Sequence, residues 1–171
     1  MTAPVEFSRP FDLDRLGSAT QEVALRAGPE ECAALAGRLG LAGLQRLEAQ
    51  LTVEGRPALG LVILRGRLEA EVTQVCVVSL EPFEARIEER FEQRYRLERA
   101  QDAEAEESLS PEAPDPLPEE GLDLGEEVAQ QLSLALDPYP RRPGAALPDA
   151  ARDETGSPFA DLAAWRRRRD G

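Results

Sequence analysis

Between residues 83 and 98 the chain alternates. Ala85, Ile87, Phe91, Tyr95 and Leu97 hold odd positions, and Glu84, Arg86, Glu88, Arg90, Glu92, Arg94, Arg96 and Glu98 hold even ones. A period of two belongs to an extended strand, whose side chains point by turns to opposite faces. Such a run has one wet face and one apolar face, and the apolar face must be covered by another layer. Phe83, Ile87, Phe91 and Tyr95 are also spaced by four, so a helix would collect them into one stripe. The unbroken charge alternation selects the strand. Its Arg/Glu row reads as a solvated face whose opposite charges also discourage edge pairing, with a binding surface as the alternative.

The preceding text supplies neighbours. Leu47, Ala49, Leu51 and Val53 share a face opposite Glu48, Gln50 and Thr52, and Gly55-Arg56-Pro57 breaks that run. Residues 59–64 are a nearly continuous apolar strand, and Arg65-Gly66 reads as a tight hairpin turn. In 68–80, Leu68, Ala70, Val72, Cys76, Val78 and Leu80 fall on one face, until Glu81-Pro82 turns the chain again. Residues 44–97 are therefore expected to form an antiparallel meander. A short strand is expected over 20–27, and an extended opening over 5–16 that Pro10 limits to an edge or a loop. A helix over 29–39 is clearly punctuated: Pro29 at the first position, Glu30 and Glu31 in the first turn, Arg38 in the last and Gly40 beyond. Its stripe of Cys32, Leu35, Ala36 and Leu39 makes Cys32 a core residue rather than a reactive thiol.

The net charge of -13 is unevenly spread. Residues 1–100 carry 13 Arg and 16 acids, 101–140 carry 12 acids and no Arg, and 141–171 carry 7 Arg and 5 acids. The stretch 101–120, rich in acids and proline, cannot bury enough apolar surface to offset its ordering entropy and reads as a disordered linker. Structure is expected to resume over 122–136 as a helix with Leu124, Val128, Leu132, Ala135 and Leu136 on one stripe. Asp123 and Glu126 form a candidate capping pair there. A short terminal helix follows over 157–169, with Ser157 as cap and Phe159, Leu162 and Ala163 on one side.

The fold class is thus α+β: an antiparallel β-meander, free to curl toward a barrel, covered by the 29–39 and 123–136 helices. The chain divides into a β-rich core with one helix over 1–100, the acidic linker over 101–120, a helix packing on the core within 121–140, and a flexible tail with a short basic helix over 141–171.

Chemistry is limited by what is missing. The chain has no His, no Lys and only two cysteines, Cys32 and Cys76. No imidazole or lysine base is present to activate any of the seven serines. No glycine-rich loop with a following Lys-Ser/Thr offers a phosphate cradle. No enzyme activity, cofactor or metal is expected. A hydrolase built on two converging carboxylates is the remaining catalytic reading. No apolar run is long enough to span a bilayer, and the opening residues lack a signal pattern, so a cytoplasmic protein with free thiols is expected. The dense basic cluster is Arg166, Arg167, Arg168 and Arg169 beside Trp165. It could grip phosphates and stack on a base. It could equally be a solubilising tail, or part of a helix docking on a partner through Phe159, Leu162 and Trp165.

Three blocks carry a resemblance. EAEVTQVCVVSLEPF, ending at Phe83, is similar to the central segment of the YceD family, the large ribosomal RNA subunit accumulation proteins. LDLGEEVAQQLSLALDPYPR (122–141) resembles that family's helix and the Pro-rich text after it, and SPFADLAAWRRRR (157–169) resembles its closing signature. The resemblance implies a bacterial, non-catalytic ribosome-biogenesis factor acting in synthesis, processing or stability of large-subunit ribosomal RNA. Its partners would be precursor large-subunit RNA or the proteins that process and assemble it, with neither DNA nor membrane. An adaptor docking through its terminal helix without RNA contact is the alternative. Many members have C-x-x-C where this chain has Cys76-Val77-Val78-Ser79, and a single sulfur cannot make a structural zinc site.

Overall fold

A computed structural model describes residues 6–97, 113–119 and 121–146. In chain order its elements are β1 (Pro10–Phe11), β2 (Thr20–Arg26), α1 (Pro29–Leu39), β3 (Gly43–Arg56), β4 (Leu61–Val75), β5 (Pro82–Arg96), β6 (Asp115–Pro116), β7 (Leu122–Asp123) and α2 (Leu124–Ala135). The main sheet runs β2-β3-β4-β5-β6, antiparallel throughout except that β6 lies parallel to β5. β1 and β7 form a separate two-stranded ribbon. The alternating run is a strand, and the class is α+β.

Period-two patterning sets the two faces. Leu47, Ala49, Leu51 and Val53 of β3 and Val62, Leu64, Leu68, Ala70 and Val72 of β4 are buried on the face covered by α1 and α2. A bulge between Leu44 and Arg46 inserts one residue, which keeps both Leu44 and Leu47 inward though they are three apart. The sheet stays open rather than closing as a barrel, because β2 and β6 end it and do not pair. The two helices supply the cover that closure would have given.

The structure corrects the hairpin expected at Arg65-Gly66. Both residues lie within β4, with Thr52 and Leu51 beside them on β3 and Glu92 and Phe91 on β5. Gly66 falls in the inward phase, and a Cβ there would sit 2.3 Å from Phe91 Cζ and 2.7 Å from Leu51 Cδ2. The glycine makes room for a cross-strand ring, not for a turn. The reversal falls earlier, in the 3-10 turn Pro57–Leu59 closed by Gly60 at φ 63. A second correction concerns 68–80: β4 ends at Val75, and 76–80 turn toward β5.

Helix ends are capped as the sequence suggests, with one difference. Glu31 accepts from the Gly28 N–H at 2.7 Å, and Gly40 closes α1 in the left-handed conformation. Asp123 accepts from the N–H groups of Gly125 and Glu126. Glu126, expected to reciprocate, instead takes a bidentate ion pair from Arg38 of α1 at 2.6 and 2.7 Å. Asp123 also holds the N-terminal arm, accepting from Ser8 Oγ and the Arg9 N–H. Where α2 meets β5, Glu127 is only 9% exposed and accepts from the Tyr95 hydroxyl. Burial holds that carboxyl above its usual range and pushes the Tyr95 phenol up, with Glu127 and Asp115 adding to the latter.

Within the stretch read as a linker, Asp115 and Pro116 lie beside Tyr95 and Arg96, and the Leu117 N–H donates to the Arg96 carbonyl. Residues 101–112, and the helix expected over 157–169, fall outside the described residues. Among the described residues no helix is long and apolar enough to cross a membrane.

Candidate functional site

The face of the sheet away from the helices is built from the even positions of β5 and their neighbours. Arg65 pairs with Glu92 at 2.7 Å and Glu54 at 3.0 Å, Arg67 with Glu69 at 3.0 Å, and Arg86 with Glu69 and Glu88 at 2.9 Å. Such exposed pairs each contribute little to stability, but together they fix where the charges stand. At the centre the lattice is imperfect. Arg67 faces Arg90 across β4 and β5, and Arg90 makes no ion pair with any described residue.

A groove of about 670 Å³ lies there, lined by Glu22, Gln50, Thr52, Arg65, Arg67 and Arg90 over the bare backbone at Gly66. Of its three guanidiniums, Arg65 and Arg67 are held by carboxylates, and Arg90 is the one that no described carboxylate engages, so any anion seated there would meet Arg90 first. A nearby hollow brings Glu48 and Glu69 face to face across β3 and β4. Arginines engage both: Arg26 and Arg46 for Glu48, and Arg67 and Arg86 for Glu69. A carboxylate acid–base pair needs two different environments, and these two share one. The Arg/Glu row that holds Arg90 has a binding surface as its alternative reading in the sequence, but the groove itself depends on the register of four strands.

The turn after β4 is the second candidate. Cys76 is fully buried and its Sγ accepts from the Val78 and Ser79 N–H groups, each at 3.4 Å. The passage after α2 folds over this turn: the Val77 N–H donates to the Pro140 carbonyl at 2.9 Å, and Arg142 pairs with Glu81 at 2.5 Å. Leu80 occupies the left-handed region at φ 59 with its side chain 76% exposed. The hydroxyl and N–H of Ser79 outweigh burial and lower the Cys76 thiol to about 6. Cys76 is therefore a buried sulfur in a turn, not a strand residue. The donor set does not fit structural zinc, which takes four nitrogen or sulfur ligands. Ser79 holds the second position, and among the described residues no cluster of His, Cys, Asp and Glu could hold a metal ion. Cys32, by contrast, lies in the core with its thiol pushed up by burial.

Ser79→Ala is expected to raise the Cys76 thiol back toward the ordinary value of 9.0, read by ultraviolet thiolate absorbance against pH. The folded value lies below the unfolded one. The thiolate's contribution to stability is thus complete above 9.0 and lost as pH falls through about 6, and the variant should show a weaker slope in that window. The residue 79 N–H remains in the variant, so an unchanged titration would show that the Ser79 hydroxyl does not lower the thiol.

The residues singled out from the sequence as contacts (Phe159, Leu162, Trp165, Arg166, Arg167, Arg168 and Arg169) all lie outside the described residues. What the described residues show is an open sheet with one face covered by helices and the other left polar and rich in arginine. A family model described as "Large ribosomal RNA subunit accumulation protein YceD" matches residues 64–163, and the chain belongs to that family. The description names an accumulation role and not a catalytic one. No curated protein and no solved structure matches the chain.

Proposed function

We propose that the chain is a non-catalytic, cytoplasmic ribosome-biogenesis factor that supports synthesis, processing or stability of large-subunit ribosomal RNA. The observation that carries this reading is the family match over 64–163, which spans the β4–β5 hairpin, α2 and the tail through Phe159 and Leu162. The charge distribution is compatible with RNA. The acidity is concentrated between 101 and 140, while residues 141–171 are net positive. The contact in this reading is Trp165 with Arg166, Arg167, Arg168 and Arg169, an aromatic side chain next in sequence to four phosphate-seeking groups.

Replacing the four arginines by Ala is expected to abolish direct binding to precursor large-subunit RNA. Any residual binding should have a salt slope flatter by about 3, as expected for four lost single-strand phosphate contacts. Unaltered binding would move the site elsewhere on the chain. In cells, deletion should lower large-subunit RNA relative to small-subunit RNA, and an unchanged ratio overturns the proposal. A partner that remains bound after nuclease treatment would identify an adaptor instead.

A further inference from the structure

β5 has one edge without a neighbour. On one side β4 pairs with it along its whole length, from Val75 opposite Pro82 to Leu61 opposite Arg96. On the other side β6 pairs only with Tyr95 and Arg96. Among the described residues no backbone hydrogen bond reaches the outer edge between 82 and 94. A bare edge of that length is a template for another strand.

We propose that this edge joins two copies of the chain, paired antiparallel about a two-fold axis at Glu89, so that two sheets become one. The occupant follows from the charges. About that axis Glu84 meets Arg94, Arg86 meets Glu92 and Glu88 meets Arg90, and each pair occurs twice. On the other face Ile87 meets Phe91 of the second copy. Moving the axis by one residue, onto Glu88 or Arg90, sets Arg86 against Arg90 or against Arg94. The alternation that repels most foreign strands is complementary to itself in this register.

Two further observations agree. β6 occupies the edge beside Tyr95 and Arg96, so a partner strand can pair only over 84–94, the span in which the charges alternate. Within one copy, Glu88 faces Glu69 and Arg90 faces Arg67, the two like-charge mismatches of the β4–β5 ladder's outer face. In the dimer each gains an opposite charge on its free side. The unfavourable contact is Glu89 against its own copy at the axis.

The test uses the full chain and a charge exchange, read by light scattering or sedimentation over a concentration series. The wild-type chain should dimerise. Arg90→Glu and Glu88→Arg each set two like pairs across the axis and should weaken the dimer by roughly tenfold or more. An equal mixture of the two variants should recover wild-type association, because each supplies the charge that the other lacks. Glu89→Gln should tighten the dimer. Both exchanges turn a like-charge pair with β4 into an opposite one, so neither is expected to unfold the protomer, and thermal melts check this. A wild-type chain that stays monomeric at the highest attainable concentration overturns the proposal. So does a single variant that associates like wild type, or a mixture that does not recover.

Discussion

Gly125→Ala is expected to cost about 3 kcal/mol or more, and to do so through the backbone rather than a side chain. Gly125 is the second residue of α2, and a Cβ there would lie 2.3 Å from the Phe7 carbonyl oxygen and 3.1 Å from the Arg9 nitrogen. A flexible side chain could move aside, but these atoms belong to the arm that Asp123 grips and that pairs with β7. Relief requires the arm to leave, which exposes Phe7, now 1% accessible. The melting temperature should fall by about 10 °C, and amide exchange should quicken at Leu124, whose N–H donates to the Arg9 carbonyl. Gly37→Ala is the control. It lies in α1 with nothing within 4 Å of a new Cβ, so a gain of about 0.5–1 kcal/mol is expected. Equal effects of the two substitutions would remove the close approach as the cause.

Tyr95→Phe is the second large effect, about 2 kcal/mol at a pH where Glu127 is ionised. The phenol donates to a carboxylate that is otherwise taken out of water, and its loss leaves a buried acceptor unsatisfied. The pH dependence gives the signature. Glu127 has a folded value above its unfolded value of 4.5, so its contribution to stability is fully present below 4.5 and lost as pH rises through the folded value. The cost of Tyr95→Phe should therefore shrink as pH falls through that folded value, and be smallest below 4.5. Glu127→Gln keeps an acceptor for the phenol without the charge, and should match or exceed wild-type stability at neutral pH. Denaturant midpoints for both variants and the double variant, below 4.5 and at neutral pH, give the coupling. A coupling near zero would sink the account of this bond.

Much of this fold was legible because it rests on local periodicity. The β5 alternation, the α1 stripe and the Asp123 cap each need only a few consecutive residues, and the structure places all three. Gly66 was misread because a glycine in a turn and a glycine under a ring look alike in sequence. Only the cross-strand position of Phe91 separates them. Cys76, Val78 and Leu80 continued the period of two past the end of β4, since alternate residues of a tight turn mimic a strand. Glu126 fitted a capping signature, yet Arg38, 88 residues away in sequence, offered a charge-assisted pair with more to gain. The groove at Arg90 is a product of register, and register is set by pairings that no single segment encodes.

The clasp between the arm and α2 also orders events in time. β2 to β5 join by short connections, α1 included, so the meander can assemble as it is made. β1, in contrast, waits for β7: Pro10 finds Asp123 only after more than a hundred further residues have been synthesised. Until then the row Leu64, Leu68 and Val72 has no α2 over it. A chain that ends before residue 122 lacks β7 and α2, and so lacks their cover over the apolar side of the sheet. Interference with that cover, by truncation before 122 or by loosening the arm, should show first as aggregation during expression rather than as a lowered melting point.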